Sequence, residues 1–214
     1  MTLADEVAGA GAAGAGADSP RAAIVLAGGR SSRLGGARKV TLDVGGSGSL
    51  ERVVRACSGW CPAPSTLVVG PADLPVPDGV VLVTDDPPFG GPVSGLRAGL
   101  AQLSVGADPV AVLAGDQPFV TAVTLERLVA ALGSAEVAAL GDAGQVGEAG
   151  QVSYLTAVWR GPALRRRVAA AGASMRSVFA GAEVVLVPDT EGWAADIDTP
   201  DDLRRARRRA AEED

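Results

Sequence analysis

Short, wholly apolar runs separated by stretches of helical period constrain this chain more than any other feature. Ala22 to Leu26 is apolar throughout. Val80 to Val83 and Pro109 to Ala114 have much the same character, and Thr66 to Val69, Val152 to Trp159 and Glu183 to Val187 read as further strands. A strand that is apolar on successive residues has to be covered on both faces, as strands of a parallel sheet are. Between these runs the spacing turns helical. Leu50, Val53, Val54 and Cys57 share one face of a predicted helix over Ser49 to Cys57, and Leu96, Leu100 and Leu103 form a second stripe. Val123 to Leu132 and Pro162 to Ala170 read as further helices. Thr199, Pro200, Asp201 and Asp202 open a last one with a cap, a first-turn proline and acids at the positive end of the dipole. The alternation predicts an α/β fold: one three-layer, Rossmann-like domain over 21–214 with a mainly parallel sheet. A chain of 214 residues, 47% hydrophobic, suits one core of that kind. Residues 1–20, mostly Ala and Gly, are expected to form a flexible tail. They lack the basic start and apolar block of a secretory peptide. No apolar run approaches the roughly 20 residues of a membrane span, so the expected location is the cytoplasm, without membrane contact.

Absences narrow the chemistry. There is no histidine, which removes His-based triads and His metal sites. Two cysteines, Cys57 and Cys61, are too few for a disulfide scaffold or a four-cysteine zinc site, and they are expected to be buried thiols. Aromatic residues are 3% and the net charge is −6. Neither suits a base-stacking platform or a basic nucleic-acid surface, and no nucleic-acid partner is expected. The arginine runs Arg165–Arg167 and Arg204–Arg209 are expected to be solvated helix faces. Of the 19 basic residues only Lys39 is a lysine, a compact point charge where arginine would bring a planar fork.

In a doubly wound sheet, ligands sit beyond the carboxyl ends of the strands. The loops after strands 22–26, 80–83 and 109–114 are therefore expected to converge. The first, from Leu26 to Lys39, has glycines at 28, 29, 35 and 36, arginines at 30, 33 and 38, and then the lysine. Glycines let backbone N–H groups turn toward an anion, and the cations neutralise phosphate charge. The spacing fits neither G-x-G-x-x-G nor a P-loop. The second loop carries Asp85 and Asp86 among prolines and glycines. A carboxylate there suits guanine, which offers N1–H and N2–H together. The third loop, Gly115-Asp116-Gln117-Pro118, puts a carboxylate just past an apolar strand. Facing phosphates, it calls for an intervening hard cation such as Mg²⁺. Asp196 and Asp198 lie on one side of an extended segment before the last helix, and Asp198 is taken as a second candidate metal ligand. Arg160, after the strand ending at Trp159, could reach a second anionic substrate.

LAGGRSSRLGGARK, TDDPPFGGPVSGL, LAGDQPFV, YLTAVWR and DIDTPDDL, in that order over about residues 22 to 206, resemble the molybdenum cofactor guanylyltransferase family. The resemblance implies a nucleotide-diphospho-sugar transferase-like fold. It implies GTP contacts at Leu26, Ala27, Gly28, Gly29, Lys39, Asp85 and Asp116, with Asp116 also holding Mg²⁺. Two positions depart from the family pattern. Arg38 stands where an acid often precedes the lysine, and a nucleotide-contacting asparagine maps to about Gly70.

The expected activity is Mg²⁺-dependent transfer of GMP from GTP to the terminal phosphate of molybdopterin, releasing pyrophosphate. Lys39, Arg33 and Asp116 are the expected catalytic residues. GTP and molybdopterin are the expected partners, with transient contact to other cofactor-biosynthesis or acceptor proteins. The alternatives are a different small-acceptor nucleotidyltransferase, using CTP with molybdopterin or GTP with a phosphorylated acid, and a non-catalytic GTP-binding cofactor-delivery protein. A dinucleotide-dependent oxidoreductase is disfavoured by the failed fingerprint.

Overall fold

The structure is a computed structural model that describes residues 20–28, 38–84, 90–142 and 151–213. Most of the expected tail, residues 1–19, lies outside them. In chain order the elements are β1 Ala22–Leu26, a small hairpin of β2 Asp43–Val44 and β3 Ser47–Gly48, α1 Ser49–Ser58, β4 Thr66–Val69, β5 Val81–Val83, α2 Pro92–Gln102, β6 Val110–Ala114, α3 Ala122–Leu132, β7 Val137–Asp142, β8 Gln151–Trp159, α4 Gly161–Ala170, α5 Met175–Phe179, β9 Val184–Val187 and α6 Pro200–Glu213.

Seven strands form one sheet in the order β5-β4-β1-β6-β8-β7-β9. All neighbours pair in parallel except β8, which runs antiparallel to both β6 and β7. This is the mainly parallel α/β sheet expected from the apolar runs. Period-2 alternation splits β1 between two cores. Ala23 and Val25 face a layer that includes Val53, Val54, Leu125 and Leu128 from α1 and α3. Ala22, Ile24 and Leu26 face Leu96, Leu100, Leu164 and Val178 from α2, α4 and α5. Both faces are buried, which is why β1 and β6 have no polar position. Cys57 and Cys61 are free and buried in the first layer, and burial pushes both thiols above their ordinary range.

Chain order places the ligand crevice. After β1 the chain crosses to β4 on one side, whereas after β6 it runs by way of α3 to β7 on the other. Strand order therefore reverses between β1 and β6, and their carboxyl ends open a crevice there.

Two sequence expectations change. Arg160 does not reach toward this crevice. Because β8 is reversed, its carboxyl end lies beside the start of β6, with Trp159 paired to Val110. Arg160 there donates to the Gly133 carbonyl and sits 3.7 Å from Asp108. The 165–167 run is only partly a solvated face. Arg165 donates to the carbonyls of Leu100, Leu103 and Ser104 at 2.8–2.9 Å, which satisfies the unpaired end of α2. Arg167 donates to Glu136 and to the carbonyls of Ala180 and Gly181; its bond to Glu136, with those from the Glu183 N–H and Arg166, holds that carboxyl below the usual range. Among the described residues, no helix is long and apolar enough to cross a membrane.

Candidate active site

The crevice is built first by backbone. The Ala27 N–H donates to Val69 O at 2.8 Å, and the Gly115 N–H to Leu26 O at 2.9 Å. The loops leaving β1, β4 and β6 thus start side by side. Leu26 and Ala27 bury their side chains in opposite cores. Gly28 is exposed, with open space where a Cβ would stand. At Gly115 a Cβ would press against the Leu50 and Val40 side chains at 3.2 Å, so glycine lets this loop lie close against them without displacing either. Ser49, fully buried, fixes that approach by donating to Gly115 O at 3.0 Å. Gly70 is similarly confined, because a Cβ there would meet Leu74 at 3.0 Å and Ala27 O at 3.4 Å. This position offers a ligand its backbone alone.

Three distant segments then meet. Lys39 opens a single 3-10 turn after the loop, and its Nζ donates to Asp198 Oδ1. The Asp116 carbonyl accepts from the Ile197 N–H at 3.2 Å, so Asp116 lies against the segment carrying Asp196 and Asp198. Burial is the main cause that raises the Asp116 carboxyl above the ordinary aspartate range. Asp196 and Asp198 add to it, and Lys39 opposes it. Loss of surrounding water and the neighbouring Asp198 push Asp196 the same way. Lys39, Asp116, Asp196 and Asp198 are therefore neighbours.

A small third core holds these segments in place. Val44, Phe119, Ile197, Ala206 and Ala210 pack together. They come from the hairpin after Lys39, the loop after Asp116, the residue between the two aspartates, and α6. The Arg209 guanidinium stacks 3.8 Å over the Phe119 ring, an arrangement worth about 0.5–2 kcal/mol. Arg52 donates to Pro118 O at 3.1 Å and pairs with Glu213 at 3.0 Å. Thr199 and Asp202 cap α6 reciprocally, with Thr199 N donating to Asp202 Oδ2 at 2.7 Å and Asp202 N to Thr199 Oγ1 at 3.2 Å. Gly45 turns the hairpin at φ +64, and a Cβ there would come 2.7 Å from the Ala210 Cβ. Gly45→Ala should therefore strain the turn and push α6 outward. We expect a loss on the order of 1–3 kcal/mol in urea unfolding.

Other expected site residues fall differently. Gly29, Arg33 and Asp85 lie outside the described residues, as do Asp86 and most of the glycine-rich loop. Arg38 is engaged by a carboxylate, donating to both Asp73 oxygens at 2.7 and 2.8 Å. That bond ties the end of the first loop to the loop after β4. Among the described residues no three Asp, Glu or Cys side chains form a self-sufficient metal cage. Asp116 and Asp198 are nevertheless hard oxygen donors in a partly desolvated, net-negative cleft. Such a pair suits a divalent cation that also takes phosphate oxygens. Gln117 was not singled out by the sequence. It is buried beside Asp116 and bonded to Thr156 and Ala194. The available signal was a long amide in a turn, where Gly, Asn or Ser is usual.

Residues 23–187 match the family profile of the MobA-like NTP transferase domain. No curated protein matches the sequence significantly. The fold is similar to that of several solved structures. One is molybdopterin-guanine dinucleotide biosynthesis protein A from Archaeoglobus fulgidus, with 21% identity, a TM-score of 0.64, and coverage of 89% of this chain and 98% of that one. A nucleotidyl transferase from Methanothermobacter has 20% identity, a TM-score of 0.73, and coverage of 92% and 100%. The 2-C-methyl-D-erythritol 4-phosphate cytidylyltransferase from Thermus thermophilus has 22% identity, a TM-score of 0.66, and coverage of 88% and 98%. At these identities the likeness is one of fold.

Proposed function

The chain belongs to the MobA-like NTP transferase domain family, and from that premise we propose that it transfers GMP from GTP to the terminal phosphate of molybdopterin. An oxygen of the acceptor phosphate attacks the α-phosphorus of GTP. The new P–O bond forms as the bond to the β-phosphate oxygen breaks, and pyrophosphate leaves with the electron pair. The nucleophile is already an anion, so no general base is needed, which suits a chain without histidine. Positioning and charge neutralisation carry the reaction.

The observation that supports this most is that Lys39 and Asp116 meet on one segment beside the reversal between β1 and β6, Lys39 through Asp198 and Asp116 through the Ile197 N–H. In this reading Leu26, Ala27, Gly28 and Gly29 offer backbone to the nucleotide. Lys39 and Arg33 neutralise charge that builds toward pyrophosphate, and Asp85 reads the guanine edge. Asp116 and Asp198 would hold Mg²⁺. When bound, that ion adds positive charge to a triphosphate that the carboxylates alone would repel. Lys39 starts on Asp198, so an incoming phosphate competes with a carboxylate for the same ammonium.

The test is purified protein with molybdopterin and Mg²⁺, given GTP or CTP in parallel and scored for dinucleotide product and pyrophosphate. A guanine dinucleotide is expected, with CTP at least about tenfold poorer, the size of one lost hydrogen-bonding contact. Product from CTP alone would make this a cytidylyltransferase. GTP binding without product from either nucleotide would point to a delivery protein.

A further inference from the structure

Gln117 follows Asp116 directly, yet its side chain is almost fully buried. Its Oε1 accepts from Thr156 Oγ1 at 2.8 Å, and its Nε2 donates to the Ala194 carbonyl at 3.2 Å. Thr156 is itself fully buried and accepts from Ser153 Oγ at 3.0 Å. It lies where β8 leaves regular pairing. Thr156 is opposite Leu113 on β6, but on the β7 side the register moves from Ala157 opposite Ala139 to Val152 opposite Gly141. Extra β8 residues are looped into that interval, and irregularities of this kind re-aim side chains beside functional sites. Ala194, two residues before Asp196, is also held through its N–H by Asp189 Oδ2 at 2.9 Å.

We propose that Gln117 and Thr156 are positioning residues, a buried strut that sets the separation between Asp116 and the Asp196–Asp198 segment. The backbone bond from Ile197 to Asp116 is one point of attachment, and a single hydrogen bond leaves a pivot. The Gln117 amide bonded to Ala194 is a second point three residues away, and two points fix an orientation. Thr156 anchors the other end of the amide to the rigid sheet and so determines which way Gln117 reaches. The carboxylates are thereby held ready for a cation instead of being gathered by it. The strut's purpose rests on the reading of Asp116 and Asp198 as cation holders.

Thr156→Val keeps the size and branching of the side chain and removes the hydroxyl, while Thr156→Ser keeps the hydroxyl. Three quantities are measured on the full chain: Mn²⁺ binding by calorimetry, the Mg²⁺ concentration that half-saturates pyrophosphate release, and urea unfolding. Thr156→Val should weaken Mn²⁺ binding and raise the Mg²⁺ requirement on the order of tenfold, the low end for groups supporting a metal ligand. KM for nucleotide should stay within about twofold, and Thr156→Ser should restore cation affinity. Gln117→Met, which fills the same volume without an amide, should behave as Thr156→Val does and serves if the valine variant fails to fold. Lower stability with Mn²⁺ affinity within about twofold of the parent, in whichever variant folds, overturns the proposal. Asp116→Ala is the control. Unchanged Mn²⁺ binding there overturns the cation reading itself and removes the strut's purpose with it.

Discussion

Lys39→Ala is expected to cut turnover on the order of 10²-fold or more at saturating nucleotide, the range for losing one preorganised charge that faces developing negative charge. The fold should tolerate the change. The Lys39 and Asp198 side chains keep 23% and 45% of their accessible surface, and a pair this exposed contributes only about 0–1 kcal/mol; the buried Asp116 carboxyl, which Lys39 helps to keep ionised, can take up a proton once the ammonium is gone. The expected signature is a collapsed rate of pyrophosphate release with a melting temperature close to the parent's. Lys39→Arg should recover little. Its fork is wider than the ammonium and needs a different geometry at the phosphate. Near-parental turnover in folded Lys39→Ala would remove Lys39 from the mechanism and would leave its pairing with Asp198 as a structural contact.

The strands bearing this site were legible because β1 and β6 are apolar on both faces and end in glycine-bearing loops. The rule for doubly wound sheets anticipated that the loops after β1 and β6 would meet; it named the loop after β5 as the third, most of which lies outside the described residues, and did not single out the loop after β4, which starts beside them. Strand direction was not legible. An apolar run reads the same in a forward or a reversed strand, and the reversal of β8 is what carries Arg160 to the opposite edge. β7 was missed altogether. Its alanines, Ala138 and Ala139, favour helix, and the segment is a strand because β8 and β9 flank it and both faces are buried. The β2–β3 hairpin had a signal in Gly45-Gly46, both at positive φ, but strands of two residues leave no periodicity to detect. Within the site, residue types were readable and contacts were not. Asp198 could be suspected as a carboxylate before a helix, whereas its bond to Lys39 joins positions 159 apart. Arg38, conspicuous beside the lysine, is occupied by Asp73. The buried bond from Thr156 to Gln117 depends on the irregularity in β8, which no spacing in the sequence announces.

Asp116→Asn should abolish divalent-cation-dependent turnover and at the same time stabilise the cation-free protein at neutral pH. The amide is nearly isosteric but cannot offer an anionic oxygen to a hard cation, so product formation should fall to background at any Mg²⁺ concentration. The second effect follows from burial, which with Asp196 and Asp198 raises the folded-state pKa of Asp116. A raised carboxyl binds its proton more tightly in the folded protein than in the unfolded chain. Its contribution favours folding at pH values below the unfolded pKa and is lost as pH rises through the folded one. At neutral pH the parent therefore holds an unfavourable buried charge that the asparagine variant lacks. The variant's thermal midpoint should exceed the parent's at pH 7, and the gap should close toward pH 3. Catalysis should show the same titration from the other side. The ionised form is the one that holds the cation, so parental turnover should decline with acidification sooner than an ordinary aspartate would allow. Retained Mg²⁺ dependence in Asp116→Asn would transfer the cation to other ligands. A midpoint gap that widens toward acid would mean that the cleft stabilises the carboxylate instead of penalising it.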